Sequence, residues 1–355
     1  DTNATDTAGD ITIAAITGGS NNLTLSTGNN IAGADVTASG AISGLGNLIL
    51  ADVGGTATFS NNVAAAALSA ANTVANITFT GGTNTFSAAS TLANDGTLTF
   101  GDATGDSFTF NGGLNTSSVA GTVTLNTSIS SSNDAMVFGA ITLGNNVTLD
   151  TNASSTTGDL TLGVVTGGSN TLTLSTGNNV NNSDITASGN ISGVTTLTLA
   201  DVGGTATLSG DVDVTTLAVG NTVANVAFTG NGSSVTNAVT FGNDGTLTIG
   251  DASGDAFTFD GGLTVSTASS TLAGVIDSSN DDITFGAITL ATATTLDTNA
   301  TDTTGDIIIG AVTGANNNLT LLTTTTSGSA DNTFNGDINL GTGALDVTGD
   351  VVLGA

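Results

Sequence analysis

The fold is decided by a stretch that runs Leu98-Thr99-Phe100-Gly101-Asp102-Ala103-Thr104-Gly105-Asp106-Ser107-Phe108-Thr109-Phe110. Two apolar–Thr–apolar triplets flank a segment of Gly, Asp, Ala, Thr and Ser. Alternation with a period of two places both apolar side chains of a triplet on one face of a strand and the threonine on the other. Clusters of Gly, Asp and Ser are typical of tight turns. The stretch therefore predicts two short β-strands joined by a turn.

The triplet recurs along the whole chain, for example at Leu23–Leu25, Leu48–Leu50 and Val147–Leu149. Typical spacings are 11 to 13 residues or about twice that. Strands this short cannot bury a face alone, whereas stacked coils bury a continuous core. We therefore predict an all-β parallel β-helix, or β-solenoid, with ~25 residues per coil and about 14 coils. The competing interpretation is a string of β-sandwiches, but these usually carry aromatic anchors and prolines, and the chain has no Trp and no Pro.

A long internal repeat organises the triplets. The motif Asp1-Thr2-Asn3-Ala4 returns at Asp150, 149 residues later, and again at Asp297, after a further 147 residues. Each full unit is expected to hold about six coils, and we expect the chain to be a window from a longer array. The chain divides into residues 1–149, residues 150–296 and a partial unit of residues 297–355.

The amino-acid composition lacks the residue types that most catalytic mechanisms require. The chain has 355 residues and a formal charge of −29, with 29 acidic residues, all of them Asp, and no Lys, Arg or His. General acid–base catalysis and activated nucleophiles usually draw on His, Glu, Lys, Tyr or Cys, and phosphate binding needs Lys or Arg. We therefore expect no enzymatic activity and no nucleic-acid partner. No segment approaches the ~20 apolar residues of a membrane helix, so we also predict no membrane span.

The run Leu197-Thr198-Leu199-Ala200-Asp201-Val202-Gly203-Gly204-Thr205-Ala206-Thr207-Leu208-Ser209-Gly210 resembles the β-strand-repeat regions of giant secreted bacterial surface proteins. These include filamentous-haemagglutinin-like and autotransporter-passenger-like adhesins and related sheath or surface-layer proteins. The resemblance covers the whole chain and is one of style rather than of a diagnostic motif. It implies an extracellular, cell-surface β-helix with a structural or adhesive role.

The aspartates supply candidate metal ligands, because Ca²⁺ prefers oxygen donors. One motif alternates oxygen side chains in a glycine-containing turn, and the other opens each repeat. The candidate calcium ligands are Asp102, Thr104 and Asp106, their copies Asp251, Ser253 and Asp255, and the second set Asp1, Asn3, Asp6, Asp297, Asn299 and Asp302. The alternative interpretation is that these residues occupy turns because their side chains bond to nearby backbone N–H groups.

These observations predict an extracellular structural protein, a solenoid segment of a filament, sheath or surface layer. The alternative is the shaft of a secreted adhesin that binds a host, mineral or carbohydrate surface. The predicted partners are further copies of the chain, joined head to tail or laterally, and cations that offset the uniform negative charge.

Threonine-rich segments such as Thr205-Ala206-Thr207 and Thr323–Thr326 are typical of ice-binding faces. A flat face of that kind needs the same spacing in coil after coil, and along the sequence these segments are scattered. We therefore expect outward threonines to reflect strand propensity alone.

Overall fold

The computed structural model describes residues 1–3, 5, 9–28, 31–154, 158–177, 182–266, 269–300, 305–323 and 330–354. These residues form strands and turns, with no helix among them. The chain falls into two compact units, Asp1–Ser183 and Asp184–Ala355. Parallel strands stack about 22 residues apart in the sequence and form a β-solenoid of about 15 turns. The predicted all-β parallel β-helix is therefore confirmed.

The strands of unit 1 are short, because each ends where Gly, Asn, Asp or Ser turns the chain. They are β1 (Ile11–Ile13), β2 (Ile16–Thr17), β3 (Leu23–Leu25), β4 (Val36–Ala38), β5 (Ile42–Leu50), β6 (Thr56–Phe59), β7 (Val63–Ala70), β8 (Asn76–Phe79), β9 (Thr83–Phe86), β10 (Ser90–Leu92), β11 (Leu98–Phe100), β12 (Ser107–Phe110), β13 (Leu114–Asn115), β14 (Val123–Leu125), β15 (Ser128–Ser131), β16 (Met136–Phe138), β17 (Ile141–Leu143), β18 (Val147–Asp150), β19 (Leu160–Leu162), β20 (Val165–Thr166) and β21 (Thr171–Ser175).

Unit 2 has the same construction, with several longer strands. They are β22 (Ile185–Ala187), β23 (Ile191–Ala200), β24 (Thr205–Leu208), β25 (Val212–Val219), β26 (Asn225–Phe228), β27 (Gly232–Val235), β28 (Val239–Phe241), β29 (Thr246–Ile249), β30 (Ala256–Phe259), β31 (Leu263–Val265), β32 (Ser269–Asp277), β33 (Ile283–Phe285), β34 (Ile288–Asp297), β35 (Ile307–Ile309), β36 (Val312–Thr313), β37 (Leu319–Leu322), β38 (Asp331–Phe334), β39 (Ile338–Asn339), β40 (Leu345–Thr348) and β41 (Asp350–Leu353).

The strands of unit 1 form three parallel stacks, and each turn except the last contributes to all three. The long strands β5 and β7 each serve two stacks, and the register between them shifts from Ile42 to Leu45. Stack A is β1, β4, β6, β8, β11, β14, β17 and β20. Stack B is β2, β5, β7, β9, β12, β15, β18 and β21. Stack C is β3, β5, β7, β10, β13, β16 and β19.

Unit 2 also has three stacks, and its long strands β23, β25, β32 and β34 each serve two of them. Stack D is β22, β24, β26, β29, β32, β34, β36 and β39. Stack E is β23, β25, β27, β30, β32, β34, β37 and β40. Stack F is β23, β25, β28, β31, β33, β35, β38 and β41.

The sequence repeat is not a whole number of turns. Its first strand, β1, lies in stack A, whereas the copy of that strand 149 residues later, β19, lies in stack C. The next two copies shift in the same way: β2 lies in stack B and β20 in stack A, and β3 lies in stack C and β21 in stack B. One repeat therefore occupies six complete turns and two of the three strands of a seventh.

The interior is mostly apolar and includes close-packed phenylalanine rings. Leu98 and Phe100 are completely buried, while Thr99 between them is not. In stack A the ring of Phe79 stacks on Phe59 at a centroid distance of 4.8 Å and on Phe100 at 6.0 Å, each one turn away. Buried aromatic pairs of this kind contribute ~0.5–1.5 kcal/mol beyond the area they bury. The core thus follows directly from the period-two pattern of the triplets.

Candidate functional site

The first predicted calcium motif forms a turn that bonds to itself. Oδ2 of Asp106 accepts hydrogen bonds from the backbone N–H groups of Asp102 and Ala103, at 2.9 and 3.1 Å. The side chains of Asp102 and Thr104 are exposed. Gly101, with φ of 77°, opens the turn in the left-handed region that glycine adopts without strain. One carboxylate of the motif is therefore used inside the turn and the other faces solvent.

The copy of this motif in unit 2 has the same geometry. Oδ2 of Asp255 accepts from the backbone N–H groups of Asp251 and Ala252, at 2.8 and 2.9 Å, and Gly250 has φ of 78°. Asp255 is buried, while Asp251 and Ser253 are exposed. The two copies have the same geometry although Asp255 is buried and Asp106 only partly so. The hydrogen bonds from the side chain to the backbone therefore specify the turn.

The second predicted motif is also a tight local turn. The backbone N–H of Asn3 donates to Oδ1 of Asp1, and that of Asn299 donates to Oδ1 of Asp297, both at 2.8 Å. The two asparagines have φ of 46° and 47°, a conformation that asparagine tolerates better than most residues. Nδ2 of Asn299 also donates to the carbonyl of Ser278 at 3.1 Å, one turn away. The remaining predicted ligands, Asp6 and Asp302, lie outside the described residues.

Within the described part of the chain, no three carboxylates come together in a group that could hold a metal ion. The two motifs each bring one carboxylate onto backbone N–H groups, as the turn interpretation predicts. Calcium binding at these turns stays a prediction.

A device that sequence reasoning missed joins consecutive turns. Asp and Asn side chains at the start of a strand, or directly before it, accept a hydrogen bond from the backbone N–H of the corresponding residue one turn later, which extends the strand ladder by one bond. Asn76 accepts from Thr97 at 2.9 Å and its copy Asn225 accepts from Thr246 at 3.0 Å. Because every such bond needs a side-chain oxygen at one fixed position per turn, it accounts for part of the Asp and Asn content in structural terms.

The same device produces a column of aspartates in unit 2. Asp282 accepts from the backbone N–H of Asp306, and Asp306 accepts from that of Asp331, both at 2.9 Å. Asp331 in turn lies in register with Asp350. Four carboxylates therefore follow one another along neighbouring turns, at roughly the ~4.8 Å spacing of paired strands.

Another pair of in-register aspartates is not joined by a bond from one turn to the next. Asp277 and Asp297 are paired positions of β32 and β34, and Oδ1 of Asp277 is buried with no hydrogen-bond partner. Burial is the main cause that raises the pKa of Asp277, and the neighbouring charges of Asp297 and Asp260 raise it further, against hydrogen bonds from Thr258 and Asn299. The position equivalent to Asp277 in the first repeat is Ser130, which lies in register with Asp150.

A second aspartate in unit 2 titrates abnormally for a similar reason. Burial raises the pKa of Asp213, the charge of Asp211 adds to this effect, and a hydrogen bond from the backbone of Ser234 opposes it. Both pKa shifts therefore come first from burial, and the neighbouring carboxylates add to them in a chain that has no basic side chain to offset their charge.

The outward surface of stack A consists of a continuous column of threonines. Each occupies the middle outward position of its strand, in register with the threonine of the turn before and the turn after. The eight members are Thr12, Thr37, Thr58, Thr78, Thr99, Thr124, Thr142 and Thr166. We call this column, with the outward positions two residues to either side of each member, the threonine face.

The Thr-x-Thr segments are scattered along the sequence, but the middle threonines of the triplets align in this surface. The residue count from Thr99 to Thr124 is 25 and from Thr124 to Thr142 only 18, yet all three are in register. The turns absorb the difference in length, so linear spacing hides the alignment. The middle residue of each apolar–Thr–apolar triplet was the signal that could have found it.

The other outward columns of unit 1 are mixed, although their strands have the same alternation. In stack B the in-register series Thr85, Thr109, Ser130, Asp150 and Ser175 includes a charge. In stack C the corresponding series is Thr24, Ile49, Ser69, Thr91, Asn115, Val137 and Thr161. In unit 2, stack D repeats the threonine pattern with one alanine and a final asparagine, as Thr186, Thr207, Ala227, Thr248, Thr271, Thr289, Thr313 and Asn339.

Comparison with protein-family models, with curated proteins and with solved structures gives no significant match. No helix in the described part of the chain is long and apolar enough to cross a lipid bilayer.

Proposed function

We propose that this chain is a structural segment of an extracellular, cell-surface scaffold such as a filament, sheath or surface layer. The observation that carries the proposal is the unbroken stacking of short parallel strands within each unit, around a core in which Leu98, Phe100 and their counterparts are fully buried. Such repeats gain stability from each neighbour that they contact, which suits a load-bearing element. The resemblance to β-strand repeats of secreted surface proteins supports the same role and location.

Assembly of this scaffold is proposed to depend on cations. With a formal charge of −29 and no basic side chain, copies of the chain repel one another until salt shortens the range of the repulsion to ~10 Å or less. The exposed carboxylates of Asp102 and Asp251 are the proposed specific Ca²⁺ ligands, in the two turns whose backbone geometry is the same.

The test is sedimentation and electron microscopy of the purified chain in EDTA, in NaCl and in CaCl₂ at equal ionic strength. We expect larger assemblies in CaCl₂ than in NaCl. The double variant Asp102→Asn/Asp251→Asn should lose this difference, while the matched variant Asp95→Asn/Asp244→Asn, which neutralises two exposed turn aspartates at equivalent positions, should keep it. Equal behaviour of the two variants would show that calcium acts only as a counterion. Monomers in every buffer would favour the adhesin-shaft alternative.

A further inference from the structure

We propose that the threonine face of unit 1 is the surface through which a second copy of this chain packs laterally. This inference rests on the proposed scaffold function and names the interface that the scaffold would use. Three properties of the face support it: its uniform chemistry, its lack of charge and its axial spacing.

The uniform threonine content of stack A exceeds what strand formation requires. Stacks A, B and C have the same alternation of buried and outward residues around the same core, so strand propensity favours the same outward residue types in all three. Only stack A has threonine in every turn, whereas stack C alone places Ile49, Asn115 and Val137 at the equivalent outward position. Stack D of unit 2 provides a second, less uniform column, with six threonines, one alanine and, in its last turn, Asn339.

The face is neutral on a strongly acidic chain. From Thr58 to Thr166, the outward positions two residues before and after each threonine are Thr, Ser, Asn, Gly, Ala or Val. Charge is found only at its beginning, where Asp10 and Asp35 precede the first two threonines by two residues. Two copies that pack through this face therefore avoid the repulsion between carboxylates that packing through other surfaces would create. That repulsion disfavours the other possible interfaces.

The hydroxyl groups of the column make no hydrogen bond to the described part of the chain, so their donors and acceptors face outward. They recur at ~4.8 Å, the spacing of paired strands. A partner can satisfy one hydroxyl after another along the column only if its own groups recur at the same spacing. A second solenoid of the same sequence has that spacing by construction, and the threonine methyl groups supply apolar contact between the hydroxyls.

The test compares two pairs of substitutions in the same two turns. Thr78→Asp/Thr99→Asp places two charges on the threonine face, and Thr85→Asp/Thr109→Asp places two charges on stack B. All four threonines are half-buried mid-strand residues, and each pair is in register. Sedimentation velocity in ~1 M NaCl, where the Debye length is ~3 Å, would measure self-association, and circular dichroism would verify the fold of both variants.

We expect the wild-type chain to self-associate and the stack B variant to match it. The stack A variant should associate at least about tenfold more weakly, which corresponds to a loss of ~1.4 kcal/mol or more. Equal association of both variants would overturn the threonine face while leaving the scaffold function intact. A wild-type chain that stays monomeric at high salt and with calcium would overturn both proposals. A monomer that instead inhibits ice growth or binds a glycan, with loss in the stack A variant only, would assign the face to that other partner and overturn the inference.

Discussion

The in-register carboxylates of Asp277 and Asp297 predict a local electrostatic repulsion in unit 2 that the equivalent site of unit 1 lacks. Both residues lie at paired positions of neighbouring turns, and the first repeat has Ser130 beside Asp150 at the equivalent place. Substituting the residue of each repeat into the other therefore tests the same charge repulsion by removing it and by introducing it. Asp277→Ser removes a like-charge pair from unit 2, and Ser130→Asp introduces one into unit 1.

The size of the effect follows from the spacing of paired strands. Two unit charges ~4.8 Å apart repel by about 0.9 kcal/mol in water and by about 3.5 kcal/mol at an effective dielectric constant of ~20. Asp277 is only partly buried, so solvent screens the pair and the lower figure is the relevant one. We therefore expect Asp277→Ser to stabilise the fold by ~1 kcal/mol at pH 7, within the range for directly opposed like charges in sheets.

The pH dependence has a definite sign. The pKa of Asp277 is raised from its ordinary value of 3.8, chiefly by burial and then by Asp297 and Asp260. A carboxyl with a raised pKa contributes stability when it is protonated and loses that contribution as the pH rises through the folded-state value. The advantage of the serine variant should therefore be full at pH 7 and vanish below the ordinary pKa. Ser130→Asp should show the mirror image, a loss at pH 7 that disappears in acid.

The assay is urea-induced unfolding followed by far-UV circular dichroism at pH 7 and pH 3. Asp244→Ser is the control for net charge, because it removes the same charge from an exposed turn of unit 2. A stabilisation by Asp277→Ser that equals that of Asp244→Ser, or that persists unchanged at pH 3, would refute the paired-carboxylate explanation.

Two further predictions concern the interior. Phe79→Ala should lower the free energy of unfolding by ~4 kcal/mol, because a fully buried ring stacked on Phe59 and Phe100 is lost. Hydrogen exchange should show the lost protection in adjacent turns only. A uniform loss of protection along the chain would contradict this local effect. Asn84→Ala should lower the free energy of unfolding by ~1–3 kcal/mol, since this buried side chain accepts a hydrogen bond from the backbone N–H of Val63 and donates one to the carbonyl of Gly81. The control Asn61→Ala, at an exposed position, should change the midpoint of unfolding in urea little.

The sequence carries enough information to predict the solenoid, because the period-two triplet specifies both the buried and the exposed side of every strand. Leu98 and Phe100 are buried and Thr99 is outward, as the alternation requires. The coil length is less accessible, because the interval between paired residues ranges from 18 residues, between Val123 and Ile141, to 26, between Ile16 and Ile42. Such variation resides in turns, where extra residues leave strand register unchanged.

The candidate sites were harder to infer from the sequence for a different reason. An Asp-x-Thr-x-Asp motif is equally typical of a metal-binding loop and of a hydrogen-bonded turn. The direction in which each carboxylate points distinguishes the two. Asp106 points back to the N–H groups of Asp102 and Ala103. The bonds between turns, such as Asn76 to Thr97, join residues about one turn apart. No local pattern contains them until the pairing of strands is known.

Alignment and identity of the outward residues have separate causes. The core fixes alignment, because pairing Leu98 with Val123 and Phe100 with Leu125 forces Thr99 opposite Thr124 whatever those two residues are. The core does not fix identity, since stacks B and C tolerate Ser, Asp, Ile, Asn and Val at aligned outward positions with the same burial beneath them. A column that is threonine in every turn is therefore not accounted for by folding. We attribute its constancy to the lateral packing proposed for the face, and the substitutions at Thr78 and Thr99 test that packing directly.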